Sequence, residues 1–256
     1  MEKYFDINRD GFSVRCKLYY EKGRETSRVV CFAHGFGGHK DTKAAERFAE
    51  HFMSKYKGSV VLTFDWPCHG KDALGKLRLE DCERYLTYVV EYIGENFPGA
   101  DLFGYATSFG GYLYLRYIQK YGNPFKKIAL RCPAINMFES LSKRILTPEN
   151  WVILEKGKDI DAGFDRKVKL DKQFMDELGS DESDIRKKDF LDFADDILII
   201  HGDKDEIIPI MQSRSFAENN VIELIEVEGA DHRFIDPKKM DFAISETMKF
   251  FIKETN

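Results

Sequence analysis

Ser108, Asp205 and His232 are the three side chains in this sequence whose types, taken together, can turn a hydroxyl into a nucleophile. A serine hydroxyl is a weak nucleophile until a base removes its proton. Histidine takes protons near neutral pH. A carboxylate fixes the imidazole tautomer and stabilises the imidazolium that forms. Ser108 lies in Asp101-Leu-Phe-Gly-Tyr-Ala-Thr-Ser-Phe-Gly-Gly-Tyr112, where an apolar strand pattern ends at the serine and a helical pattern begins. Such a break holds the serine on a strained, exposed turn at the positive end of a helix. A serine at that place is also a good helix N-cap. His201-Gly-Asp-Lys-Asp-Glu-Ile-Ile-Pro209 and Gly229-Ala-Asp-His232 each leave an apolar, strand-like run. The reading is Ser108 as nucleophile, His232 as general base and then acid, and Asp205 as the orienting carboxylate. Asp203 is the rival acid, but it suits turn closure. Asp231 reads as a solvated loop residue.

A fourth element lies upstream. The strand-like Arg28-Val-Val-Cys-Phe-Ala33 runs into His34-Gly-Phe-Gly-Gly-His-Lys40. A His-Gly loop in that place supplies one backbone N–H to an oxyanion hole, and the residue after the nucleophile supplies the other. These donors are Phe36 and Phe109. The alternative is a plain glycine-rich turn.

The elements that must position these groups alternate in type. Tyr4–Ile7 and Ser13–Tyr19 form a hairpin around Asn8-Arg-Asp-Gly11. Strands follow at Arg28–Ala33, Val60–Asp65, Asp101–Thr107, Lys127–Arg131, Asp196–His201 and Val221–Val227. Helices fall at Thr42–Tyr56, Leu79–Phe97, Phe109–Tyr121, Ile210–Asn219 and Pro237–Lys253. This alternation predicts an α/β fold: a mostly parallel central sheet covered on both faces. Sites in such sheets lie at the carboxyl ends of the strands, where Ser108, Asp205 and His232 all fall. Residues 134–194 interrupt the alternation and are too long for a plain connection. They carry helix and strand signals of their own, first helical over Phe138–Ile145, then at Lys167–Leu170 and Asp171–Leu178. The expected organisation is a core of 1–133 and 195–256 with an inserted cap, or lid, of 134–194. Phe138, Ile145, Leu146, Trp151, Ile153 and Phe164 are candidates for an apolar wall over the site, or for anchors of the insert.

The chain resembles the α/β-hydrolases with a small cap, and is most similar to the bacterial cinnamoyl/feruloyl esterases and their monoacylglycerol-lipase-like relatives. The resemblance rests on His34-Gly-Phe-Gly-Gly, Asp65-Trp-Pro-Cys-His69-Gly70, Ala106-Thr-Ser-Phe-Gly-Gly111, His201-Gly-Asp-Lys-Asp-Glu-Ile-Ile-Pro209 and Gly229-Ala-Asp-His232, in the family's order. The chain departs from the pattern at Ala106 (the first elbow glycine), at Thr107 (often histidine) and at Cys68. The resemblance implies a serine hydrolase that cleaves small or aromatic carboxylic esters through an acyl-enzyme. The same machinery serves a monoacylglycerol lipase, a thioesterase or a peptidase-type hydrolase. A non-catalytic ligand-binding member of the fold is the rival from another class, and such proteins usually lose a triad member. Fold alone does not decide function; the site does.

Composition agrees with an enzyme acting on a small molecule. In 256 residues, 39 basic and 44 acidic side chains give a net charge of −5. No basic block points to nucleic acid or a membrane surface, and no apolar run approaches the ~18 residues of a membrane span. The N-terminus lacks an apolar signal core. Five cysteines at irregular spacing, 16, 31, 68, 82 and 132, read as reduced and mostly structural in a cytoplasmic setting, with Cys68 beside His69 the one candidate for a catalytic role. The histidines match no zinc spacing, so neither a metal nor an organic cofactor is expected. The expected partner is a small-molecule ester, without nucleic acid or membrane insertion. Whether the chain forms a homodimer is left open.

Overall fold

The computed structural model describes residues 1–70, 75–163 and 166–253. Alternating side chains at the start of the chain close a hairpin in which β1 (Glu2–Arg9) pairs antiparallel with β2 (Phe12–Tyr19), Arg9 opposite Phe12. Strands and helices then alternate: β3 (Arg28–Ala33), α1 (Lys43–Lys55), β4 (Ser59–Phe64), α2 (Leu79–Asn96), β5 (Asp101–Thr107), α3 (Phe109–Tyr121) and β6 (Lys127–Arg131). The interruption after β6 holds α4 (Met137–Ser140), α5 (Pro148–Glu155), the hairpin β7 (Ile160–Ala162) and β8 (Val168–Leu170), and α6 (Lys172–Leu178). The alternation resumes with β9 (Ile197–Gly202), α7 (Ile210–Asn220), β10 (Glu223–Val227) and α8 (Pro237–Ile252).

Eight strands form one sheet in the order β1-β2-β4-β3-β5-β6-β9-β10. β2 runs antiparallel to β4, and every pair from β4 to β10 is parallel. The parallel strands need apolar residues on both sides, because helices cover both faces. Accordingly, every residue of β4, β6 and β9 is buried. On one face, Phe48 and Phe52 of α1 and Ile244 and Phe251 of α8 pack on Val30, Phe32, Tyr105 and Ile200. On the other, α2 sets Leu79, Cys82, Leu86, Val89 and Ile93 against the sheet at three- and four-residue intervals. This is the α/β-hydrolase fold expected from the sequence.

Glu83 breaks the apolar stripe of α2. Its carboxylate is buried and receives the guanidinium of Arg116, the ammonium of Lys120 at 2.8 Å and the hydroxyl of Tyr121 at 3.2 Å, all from α3. The pair of helices is thereby locked in one register.

The insert differs most from expectation. Phe138–Ile145 is not one helix: α4 gives way to a wide π-type turn over Leu141–Ile145. α5 was not expected, although Thr147, Pro148 and Asn150 spell a helix start, with Thr147 and Asn150 exchanging side-chain-to-backbone hydrogen bonds. β7 has three residues, too few to show a period. Of the six wall candidates, Ile145 lines the cleft at Ser108, Leu146 is buried, and Ile153 is exposed. Phe138 and Trp151 meet edge to face, 6.3 Å apart. Phe164 lies outside the described residues.

Two glycines set the approach of the site loops. A Cβ on Gly110 would lie 2.7 Å from the carbonyl oxygen of His34, and one on Gly202 would come closer still to that of Ala230. Both obstacles are backbone. Gly202→Ala and Gly110→Ala are each expected to cost about 1–3 kcal/mol, the scale of overpacking a close-packed site. The urea midpoint of each variant checks this. Wild-type midpoints would show that the loops stand further apart than described.

Candidate active site

β5 and α3 meet at Ser108, whose φ of 52° and ψ of −117° no helix or strand residue shares. Its N–H donates to the Arg131 carbonyl at 3.0 Å, and its own carbonyl accepts from Tyr112 and Ala134. The backbone is thus held on both sides of the turn. Ser108 makes no side-chain cap to α3; its hydroxyl faces His232 instead. Ala106 is fully buried, aligned with Ala33 and Leu130 of the flanking strands.

The loops after β9 and β10 bring Asp205 and His232 to this point. His232 Nε2 lies 3.1 Å from Ser108 Oγ, and His232 Nδ1 lies 2.6 Å from Asp205 Oδ2. The carboxylate accepts at Nδ1, so Nδ1 carries the hydrogen and the Nε2 lone pair faces the serine. Asp203, the rival acid, receives the Gly229 N–H at 2.5 Å and ties the two loops together. Asp231 receives the Ile235 N–H at 2.9 Å within its own loop.

Asp205 is held from several sides. Its Oδ1 accepts from the N–H groups of Ile207 and Ile208 at 2.9 and 2.7 Å. Its Oδ2 also lies 3.2 Å from Nε2 of His201. Burial pushes the carboxyl up, but the hydrogen bonds from His201, His232 and Ile208 prevail and hold it well below the usual carboxylate range. His201 is fully buried: Nε2 donates to the Ile208 carbonyl at 3.0 Å as well as to Asp205, and Nδ1 accepts from Ser213 at 2.7 Å. The sequence reading missed this support. The only signal was a histidine ending the apolar run Ile-Leu-Ile-Ile. Cys132, His201 and Asp205 cluster within 4.8 Å. Two of these three groups already bond to each other and to their neighbours, so we assign no metal to them.

The loop carrying Phe36 is braced by the chain just after β4. The Trp66 indole donates to the His34 carbonyl at 3.0 Å, and the Trp66 N–H reaches His34 Nε2 at 3.3 Å. Asp65 receives the Lys40 N–H at 2.6 Å. Phe36 packs edge-on against Phe109 and His69. The Phe109 N–H opens α3 and belongs to the first four of that helix, which have no carbonyl of their own helix to bond. Burial holds both His34 and His69 down at about 3, so both are neutral. Cys68, in the same loop as His69, is buried, and burial pushes its thiol up to about 11. That makes it a poor nucleophile. All five cysteines are buried and unpaired.

These loops enclose a cleft of about 820 Å³ at Ser108, lined also by Gly35, Phe36, Thr107, Arg131, Ile145 and Arg166. Among the described residues, no helix is long and apolar enough to cross a membrane.

The chain belongs to the family described as serine aminopeptidase S33, whose profile matches residues 24–160, just over half of the chain and including Ser108. It is a hydrolase of the α/β-hydrolase fold. Est1E from Butyrivibrio proteoclasticus, solved with ferulic acid bound, superposes with a TM-score of 0.75 at 21% identity, over 97% of this chain and 98% of that one. A soluble variant of monoglyceride lipase from Saccharomyces cerevisiae, solved with a substrate analogue, gives 0.74 at 19% identity, over 99% and 95%. Alpha/beta hydrolase domain-containing protein 10 from mouse gives 0.68 at 16%, over 95% and 96%. At these identities the likeness is one of fold. No curated protein matches the chain in sequence.

A pH dependence follows from the two buried histidines. Their folded-state values lie far below the ~6.5 of an unfolded histidine. Between these limits the unfolded chain binds more protons, so stability rises with pH there and is lost as pH falls from about 6.5 toward 3. Asp205, with its value depressed, adds a loss only below about 4. Urea midpoints at pH 7, 5 and 4 should fall in that order, and less steeply in His69→Phe. An equal slope in that variant would remove His69 from the account.

Proposed function

We propose that the protein is a carboxylic-ester hydrolase acting through an acyl-enzyme on small or aromatic acyl esters. The observation that carries this reading is the relay Ser108 Oγ, His232 Nε2, His232 Nδ1, Asp205 Oδ2, with spacings of 3.1 and 2.6 Å. Ser108 Oγ attacks the ester carbonyl carbon as its proton passes to His232 Nε2. The N–H groups of Phe36 and Phe109 stabilise the oxyanion. The intermediate collapses, the C–O bond to the alcohol breaks, and His232 returns the proton to the departing oxygen. Water then attacks the acyl-serine, giving its proton to His232, and the carboxylic acid leaves with Ser108 restored. Asp205 stays ionised throughout and stabilises the imidazolium. No step calls for a cofactor.

Residues 134–194 act as a small cap in this reading, because Ile145 and Arg166 of the insert line the cleft. A cap of this size suits a short or aromatic acyl group better than a long triglyceride. The ferulic acid bound to Est1E, a protein of the same fold, points the same way. The family description, a serine aminopeptidase, favours a second reading in which the leaving group is an amine. Paired p-nitrophenyl ester and p-nitroanilide substrates separate the two.

A fluorophosphonate probe is expected to label wild type at Ser108, read by mass spectrometry, and to leave Ser108→Ala unlabelled. Failure of folded wild type to label would sink the nucleophile assignment. Asp205→Asn is expected to lower kcat on p-nitrophenyl acetate by roughly 10³- to 10⁴-fold through the wrong tautomer of His232. A loss under tenfold would put the orienting role elsewhere. In a chain-length profile, faster turnover of long-chain triglycerides than of soluble esters would overturn the small-cap reading.

A further inference from the structure

The structure assigns Arg131 to recognition of a second, anionic carboxylate on the ester substrate, an inference that rests on the ester-hydrolase reading above. Arg131 ends β6, level with Thr107 of β5, and its carbonyl holds the Ser108 N–H. Arg131 lines the same cleft as Ser108, yet the residue is only 6% exposed. The guanidinium lies over the Phe234 ring, 5.3 Å from its centroid, and Nη1 lies 2.9 Å from the Met240 sulfur. The Tyr105 hydroxyl and the Cys132 thiol are further polar neighbours. Nε has no hydrogen-bond partner. Among the described residues no carboxylate comes within 4.0 Å of this cation.

A guanidinium cannot escape burial by losing its proton, as a lysine can. A buried charge without a counter-ion is costly. A carboxylate supplies what this one lacks: one negative charge, and two planar oxygens that match the guanidinium fork. The rest of the lining agrees. Among the described residues it carries Lys43 and Arg166 against one carboxylate, Asp41, which Lys40 already engages at 2.7 Å. The cleft is therefore cationic in a chain of net charge −5, and such a cleft concentrates anionic ligands.

The carboxylate can sit on the acyl side or the alcohol side of the ester, and two substrate pairs distinguish these. The acyl pair is p-nitrophenyl hydrogen glutarate against p-nitrophenyl pentanoate. The alcohol pair is 4-acetoxybenzoate against phenyl acetate. Each rate is divided by the substrate's hydroxide-catalysed rate. In one pair, wild type should favour the charged ester at least tenfold in kcat/KM, and the preference should shrink as salt rises. Arg131→Met should cut that preference at least tenfold. Arg131→Lys, which keeps the charge but loses the fork, should cut it less. A purely structural Arg131 would lower turnover of charged and neutral esters alike, and that result would overturn the proposal, as would absence of any preference in wild type.

Binding to Ser108→Ala keeps the test independent of turnover. Calorimetry should detect monomethyl glutarate or 4-acetoxybenzoate, with binding lost when Arg131→Met is added. Equal binding in both proteins, or none in either, would overturn the carboxylate assignment. Absence of fluorophosphonate labelling with binding intact would instead overturn the ester-hydrolase reading alone.

Discussion

The backbone of Ser108 is the constraint around which the rest of the molecule is arranged. A non-glycine residue at φ 52° and ψ −117° costs on the order of 1–3 kcal/mol and persists only where its surroundings over-determine it. Here the Ser108 N–H is fixed to the exit of β6, and its carbonyl to α3 and to the chain beyond β6. Gly110 lets α3 approach the His34 loop, and Gly111 lets it approach Pro133. The same contacts that force the turn bring the Phe36 loop to its side. Strain at the serine and assembly of the cleft are therefore one packing problem, solved at the centre of the sheet.

Asp205 is positioned by a different means. Asp205 sits in a buried loop where its charge would be costly alone. Four N–H donors converge on it: two from its own loop, one from His201 and one from His232. His201 is in turn fixed by Ser213 and the Ile208 carbonyl. A single orientation of the carboxylate satisfies all of them. The imidazole of His232 inherits that orientation, so its second nitrogen points to the serine without a partner of its own to steer it.

The framework was legible in the sequence because it follows from short-range rules. β3, β5, α3 and β6 fall on the residues expected, since apolar runs of five to seven residues and helical stripes declare themselves locally. Ser108, Asp205 and His232 were legible because each stands at a strand exit with a glycine two or three residues away. What escaped depends on partners distant in sequence. Glu83 lies on an apolar stripe, and only the arrival of Arg116 and Lys120 makes that tolerable. His201 looks like the end of a strand until Asp205 and Ser213 fold around it. Arg131 reads as an ordinary strand terminus until Phe234 and Met240 bury it. The insert was poorly legible because its elements are short, with three residues in β7 and in β8 and a π-type turn where a regular helix was expected.

β10 is an edge strand, bonded to β9 alone, and its Glu223 and Glu226 face water. The loop that carries His232 leaves from this strand, whereas Ser108 leaves from β5, with β3 on one side and β6 on the other. Local opening is easiest at such an edge and hardest at the centre of a sheet. Opening of β10 therefore withdraws the imidazole and leaves the strained serine in place. Such a molecule keeps its elbow and most of its core but has no imidazole beside the hydroxyl. In the proposed reaction the hydroxyl has its base only while this edge strand stays docked, so a partly opened molecule would carry an inert serine rather than a reactive one.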